Sequence, residues 1–192
     1  MVSNAHSYNI LINIAIVIML IFICSIVFSS IKNKITPMPS NTIMHQAVLN
    51  EIKRLKINGN VVDTGSGFGH LLFKLAPKFP HCSFIGIENS TIPFLYSKII
   101  SKLLHKRHNP IKLVNDNIYH YNYSSTQLIV CYLYPGGMQK LYEILIAQKI
   151  EHIYVISICF AINNLQPQTI TQCNDLYRTK VYTYEISHRS SK

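Results

Sequence analysis

The chain has 192 residues, with 18 Lys plus Arg against 8 Asp plus Glu and a formal net charge of +10. About 160 residues follow an apolar N-terminal stretch, enough for one compact domain with a single core. Its five cysteines, Cys24, Cys82, Cys131, Cys159 and Cys173, include no C-x-x-C pair, which argues against a zinc site or a disulfide framework and for a reducing compartment. The histidines show no ligand spacing, so no metal is expected. Every Lys, Arg, Asp and Glu lies after Ile31, with no long block of like charge, so the basic balance fits an anionic bilayer surface and no nucleic acid is expected as partner.

Ile10 to Phe28 is apolar except for Asn13 and Ser25. Nineteen residues at about 1.5 Å each span about 28 Å, close to the hydrocarbon thickness of a bilayer. No Lys or Arg precedes the run, and its apolar core is too long for a cleaved signal peptide. Residues 1–31 are therefore expected to be a retained transmembrane anchor. Lys32 and Lys34 follow directly, so the positive-inside rule turns the C-terminal domain to the cytoplasm, the inner face of the inner membrane if the host is bacterial.

Residues 32–58 read as a linker, Ile35 to Thr42 with two prolines, followed by an amphipathic helix from His45 to Leu55. Residues 59–192 then form the folded domain. Short β-rich runs occur at Asn60–Asp63, Ser83–Glu88, Ile111–Asp116, Gln127–Tyr134 and His152–Phe160, with helices expected at 70–76, 91–106 and 137–149. This alternation predicts βαβ units and a mostly parallel sheet with flanking helices. Leu176 to His188 is expected to add one edge strand, antiparallel to the rest.

One segment stands out. A strand ends at Asp63, glycines follow at Gly65, Gly67 and Gly69 with Ser66 between them, and a helix opens at once. Bare backbone there lets the chain turn sharply and approach a ligand. Dinucleotide and S-adenosylmethionine sites share such turns. An acid placed just before the glycines suits the latter, because Asp63 can receive the ammonium of a methionine moiety. Glu88, closing the second run, is positioned for ribose hydroxyls. The polar group Asn115-Asp116-Asn117, ending the third, can read an adenine edge.

These pieces, with Tyr132-Leu133-Tyr134-Pro135 ending the fourth run, stand in the order found in class I S-adenosylmethionine-dependent methyltransferases. The chain resembles more narrowly the small membrane-anchored group related to the ATP synthase c-subunit lysine methyltransferase. That resemblance rests on the apolar N-terminal run, Thr36-Pro37-Met38-Pro39-Ser40, Asp63 to Gly69 and the Tyr-Leu-Tyr-Pro segment. It implies a Rossmann-like class I fold preceded by one transmembrane helix, S-adenosylmethionine as cofactor, and a protein substrate, with lysine as acceptor. It also places Asp63, Gly65, Ser66, Gly67 and Gly69 at the methionine end, Glu88 on the ribose, and Asp116 or Asn117 by the adenine. Tyr132, Tyr134 and Pro135 would border the transferring methyl. Phe68 and His70 depart from the group, where an acid and an arginine are common.

The expectation is thus a membrane-anchored methyltransferase acting on a membrane-associated protein. Its rival is a catalytically silent binding module that keeps the fold at the membrane. A nicotinamide-dependent Rossmann enzyme fits less well, since Asp63 precedes the glycines and the chain has no Tyr-x-x-x-Lys.

Overall fold

A computed structural model describes residues 8–17, 19–21, 23, 42–104 and 111–187. The chain divides into two compact units, Met1–Met38 and Pro39–Lys192. In the first, residues 8–17, 19–21 and 23 are helical. The anchor expected over Ile10 to Phe28 extends beyond the described residues, as do almost all of the linker and the basic stretch His105 to His108. Among the described residues, no helix is long and apolar enough to cross a membrane.

The second unit runs α1 (Thr42–Arg54), β1 (Asn60–Thr64), α2 (His70–Leu75) with a 3₁₀ turn (Ala76–Lys78), β2 (Ser83–Ile87) and α3 (Thr91–Leu104). It continues with β3 (Ile111–Val114), β4 (Thr126–Cys131), α4 (Pro135–Ala147), β5 (His152–Ile158), β6 (Thr169–Gln172) and β7 (Lys180–Ser187). The seven strands form one sheet in the order β3-β2-β1-β4-β5-β7-β6. The first five are parallel, while β7 lies antiparallel to both neighbours. This is the Rossmann-like α/β architecture anticipated from the alternating runs.

Burial explains why those runs were legible. Val61–Thr64, Leu128–Cys131 and Val155–Ile158 are buried residue after residue, as expected of central strands covered on both faces. On one face Val61, Leu128, Val130, Ile156 and Ile158 pack with Leu72, Phe84 and, from α1, Val48 and Ile52 into one cluster. Each such side chain contributes about 1.5–3 kcal/mol of burial. The first helix, read from sequence alongside the linker, is thus part of the domain's core.

The C-terminal strand needs correction. It is antiparallel, but β7 is not an edge: it lies between β5 and a second strand, β6, which is the true edge. The four residues of β6, Thr169-Ile170-Thr171-Gln172, alternate between half-buried and exposed. A run that short and polar carries almost no periodic signal, and only pairing with β7 makes it a strand.

Strand order reverses between β1, which leads outward to β2 and β3, and β4, which leads the other way. Ligands of open α/β sheets bind at the carboxyl ends of the strands beside such a reversal. The tips are level there, with Thr64 paired to both Ile87 and Cys131.

Candidate active site

Asp63 sits one residue from the end of β1, in register with Gly86 of β2 and Val130 of β4. Its carboxylate is buried and receives no hydrogen bond from any described residue. Burial, reinforced by the nearby charge of Glu88, pushes its pKa up to about 7. An ionised carboxylate in such a place is costly until a cation or donor arrives.

Glu88 follows the last residue of β2 and is also buried. One of its oxygens accepts from the amide of Gly67 at 2.8 Å and the other from the amide of Ser90 at 2.7 Å. The glycine loop is therefore clasped to the tip of the neighbouring strand. A carboxylate offers about four lone-pair positions, so two remain for hydroxyl donors. Asp63 and Glu88 lie at the same edge of the sheet on adjacent strands, as their spacing in the sequence led us to expect.

Two features shape the loop between them. Gly65 and Gly69 have φ of +76° and +79°, a left-handed conformation that residues with a Cβ rarely adopt. A Cβ at Gly65 would meet no atom within 4 Å, so bare backbone faces open space, whereas at Gly69 it would lie 2.8 Å from the Phe73 ring. The amides of Gly65 and Ser66 both bond the Ile87 carbonyl, at 2.9 and 3.0 Å. Ser66 Oγ packs over Gly86, where a Cβ would come within 2.8 Å of it. That hydroxyl is buried with no partner among the described residues. A carboxylate and a hydroxyl, both unsatisfied, thus flank a glycine cradle, and their donor and acceptor chemistry fits the ammonium and carboxylate of a methionine moiety.

The third strand tip behaves differently from the first two. Asp116 is exposed and accepts from the Asn117 amide at 2.6 Å, while Asn117 accepts from the Tyr119 amide at 3.0 Å. Both side chains shape the turn after β3. The residue that ties β3 to the site is Asn115, whose amide donates to the Glu88 carbonyl at 2.8 Å. Sequence reading placed all three in one polar group and did not single out Asn115.

The tyrosines after β4 also part company. Strand β4 ends at Cys131, short of the Tyr134 expected from sequence, so Tyr132 and Tyr134 lie beyond the ladder. Tyr132 lies beside Phe160, 6.2 Å between ring centroids. Tyr134 caps α4, with Pro135 at its first position. The Tyr134 ring lies over Gly136 and Gly137, where added Cβ atoms would approach it to 2.9 and 3.1 Å. Tyr119 closes on the same spot, its hydroxyl 2.9 Å from where a Cβ at Gly137 would be, and the Lys140 ammonium sits 4.4 Å above its ring. Burial, together with Tyr134 and Cys131, pushes the Tyr119 pKa up to about 12, so its phenol is neutral at physiological pH. Sequence reading missed Tyr119, because only the fold brings the turn after β3 against α4. Cys131, buried beneath, is raised to about 12 by burial and is an inert thiol.

Phe68 and His70, the two departures in the loop, have visible partners. The Phe68 ring meets Tyr96 of α3 edge-on at 5.3 Å and stacks on His70 at 6.1 Å. Neither disturbs Asp63 or Glu88. No group of His, Cys, Asp or Glu among the described residues could hold a metal ion.

Comparison with known proteins agrees with this geometry. Residues 63–169, more than half of the chain, match the profile of the ANTKMT methyltransferase domain. Among solved structures, an RNA methyltransferase from Salinibacter ruber in complex with S-adenosyl-L-homocysteine superposes with a TM-score of 0.65 at 21% identity, over 80% of this chain and 95% of that one. A magnesium protoporphyrin IX methyltransferase from Synechocystis with bound S-adenosylmethionine gives 0.61 at 10% identity, over 79% and 87%. At such identities the likeness is one of fold. No curated protein sequence matches significantly.

Proposed function

Because this chain belongs to the ANTKMT methyltransferase domain family, and is accordingly an S-adenosylmethionine-dependent methyltransferase, we propose that it methylates a lysine of a membrane-associated protein while tethered by its N-terminal apolar segment. One observation carries the site assignment: a buried, partnerless Asp63 carboxylate next to Glu88 at the tips of adjacent parallel strands. Asp63 would take the cofactor's ammonium, the unpartnered Ser66 hydroxyl its carboxylate, and Glu88 its ribose hydroxyls. Asp116 or Asn117 would border the adenine, with Asn115 fixing the tip on which they stand.

The bound cofactor would supply an electrophilic methyl group, taken in line by the acceptor as the C–S bond breaks and the neutral thioether leaves, chemistry that requires no metal. What the chain contributes is alignment and a dry wall. A lysine must arrive neutral, and desolvation against aromatic rings favours its uncharged form. Tyr119 and Tyr134 offer such a wall beside Pro135, and Tyr132 a second ring further along. With its pKa up to about 12, Tyr119 serves as a hydrogen-bonding phenol and not as a base, so the proton leaves through solvent. Lysine as acceptor is supported by the family resemblance and this aromatic lining. The tether is supported by Ile10 to Phe28, and the lysines after it favour, by the positive-inside rule, a domain on the cytoplasmic side.

Calorimetry with S-adenosylmethionine on the full chain in detergent tests the site, with 1:1 binding expected. Labelled-methyl transfer into a membrane extract, abolished by Glu88→Gln, tests the activity. Folded protein that binds no cofactor would refute the site, and transfer into lipid alone would refute the protein acceptor.

A further inference from the structure

Helix α3 has an unusual surface. Its fourteen residues, Thr91 to Leu104, include six large aliphatic side chains and Phe94, yet Ser97 alone is fully buried. Ser97 is where the helix touches the glycine loop, its Cβ 3.3 Å from where a Cβ at Gly69 would be. On the outer side, Leu95, Ile99 and Leu103 follow one another at intervals of four, with Ile99 60% and Leu103 71% exposed. Intervals of four on a helix make one continuous stripe. Tyr96 extends it towards Phe68.

The charges beside the stripe are all of one sign. Lys98 and Lys102 fall three residues after Leu95 and Ile99, so they line one flank of it. Neither α3 nor the adjoining β3 contains an Asp or Glu, and neither lysine pairs with a carboxylate among the described residues. An open cleft lined by Lys98, Ser101, Lys102, Ile111 and Leu113 runs along the same flank. β3 is the outermost strand on that side, and no strand among the described residues lies beyond it.

We propose that α3 is a membrane-surface helix: Leu95, Ile99 and Leu103 enter the interfacial region of an anionic bilayer, with Lys98 and Lys102 on lipid phosphates. Charge complementarity selects this occupant. Helices with an aliphatic face and lysines along its border lie in the plane of the interface, their long stems reaching back to the headgroups. A protein partner would need its own carboxylates opposite Lys98 and Lys102. The docked surface would lie beside the cofactor loop, since α3 begins three residues after Glu88 and holds Phe68 through Tyr96. The proposal does not depend on the methyl acceptor or on the N-terminal tether.

The chain contains no tryptophan, so Leu103→Trp introduces a single reporter. Leu176→Trp, at a residue 89% exposed after β6, provides the control. Full-length protein would be reconstituted into vesicles of phosphatidylcholine alone or mixed with phosphatidylserine, both with brominated chains. For Leu103→Trp, we expect a blue shift and bromine quenching that grow with phosphatidylserine content, and an unchanged spectrum for Leu176→Trp. Lys98→Ala with Lys102→Ala should weaken docking by roughly 25-fold, about five-fold per lysine near an anionic surface. Absence of quenching in anionic vesicles overturns the proposal. So does a blue shift without lipid that rises with protein concentration, the mark of a second copy on the stripe.

Discussion

Two buried carboxylates in this domain have opposite fates. Glu51 lies where α1 meets the antiparallel corner of the sheet. It accepts from two Arg54 nitrogens, Nη2 at 2.9 Å and Nε at 3.1 Å, and from the hydroxyls of Thr183 and Thr169 at 2.8 and 3.1 Å. Burial alone would raise its pKa, but those hydrogen bonds prevail and hold it below the usual carboxylate range. Asp63, at the tip of the parallel half, has no such partners, and burial raises its pKa to about 7. A carboxylate satisfied by its own chain is part of the frame. One left unsatisfied at a strand tip is a place reserved for a ligand.

Asp63→Asn should break this contrast most severely. Loss of one member of a buried charge pair costs about 2–5 kcal/mol, so S-adenosylmethionine affinity measured by calorimetry should fall at least thirtyfold. The free protein should respond in the other direction. A pKa raised on folding means that the native state holds a proton the unfolded chain has lost, so stability declines as pH rises from about 4 through 7. Asp63→Asn removes that decline, and its melting temperature should exceed the wild type's at pH 8 but not at pH 4.

Glu51→Ala should do the reverse. Stability should fall by about 1–3 kcal/mol in denaturant titrations, because the two threonine hydroxyls lose their acceptor while Arg54 stays half in water. Cofactor affinity of the folded fraction should be unchanged. A smaller signature follows from protonation of Asp63: the apparent affinity for S-adenosylmethionine should weaken by up to about tenfold per pH unit below 7 and be flat above it. Asp63→Asn should abolish that slope and Glu51→Ala should leave it intact.

The smallest effect concerns His45, also on α1. It is buried with both ring nitrogens unpartnered, and burial, with help from the charges of Lys74 and His70, lowers its pKa to about 4. A depressed histidine pKa makes stability fall as pH drops from 6.5 towards 4. His45→Leu should stabilise the protein by about 1 kcal/mol near neutrality, and by more at pH 5.

Much of this domain could be read along the chain. The order of strands and helices, the glycine loop with Asp63 before it, and Glu88 one strand further on all depend on short-range patterns: consecutive apolar residues in covered strands, bare backbone at a tight turn, an acid where a strand stops. Local sterics and burial impose those patterns, so they survive in one dimension. Asn115 was visible but indistinct, because turn chemistry and site chemistry use the same side chains.

The remainder was decided by pairing across distance. The hydroxyls that satisfy Glu51 lie 118 and 132 residues away along the chain, and β6 exists as a strand only because β7 offers it a partner. Tyr119 joins Tyr134 only once α4 has turned back over the sheet. The exposure of α3 is equally a tertiary result, for its composition suits a buried helix. No local rule distinguishes an orphaned carboxylate from a satisfied one, since hydrogen-bond partners are supplied by the fold and not by sequence neighbours.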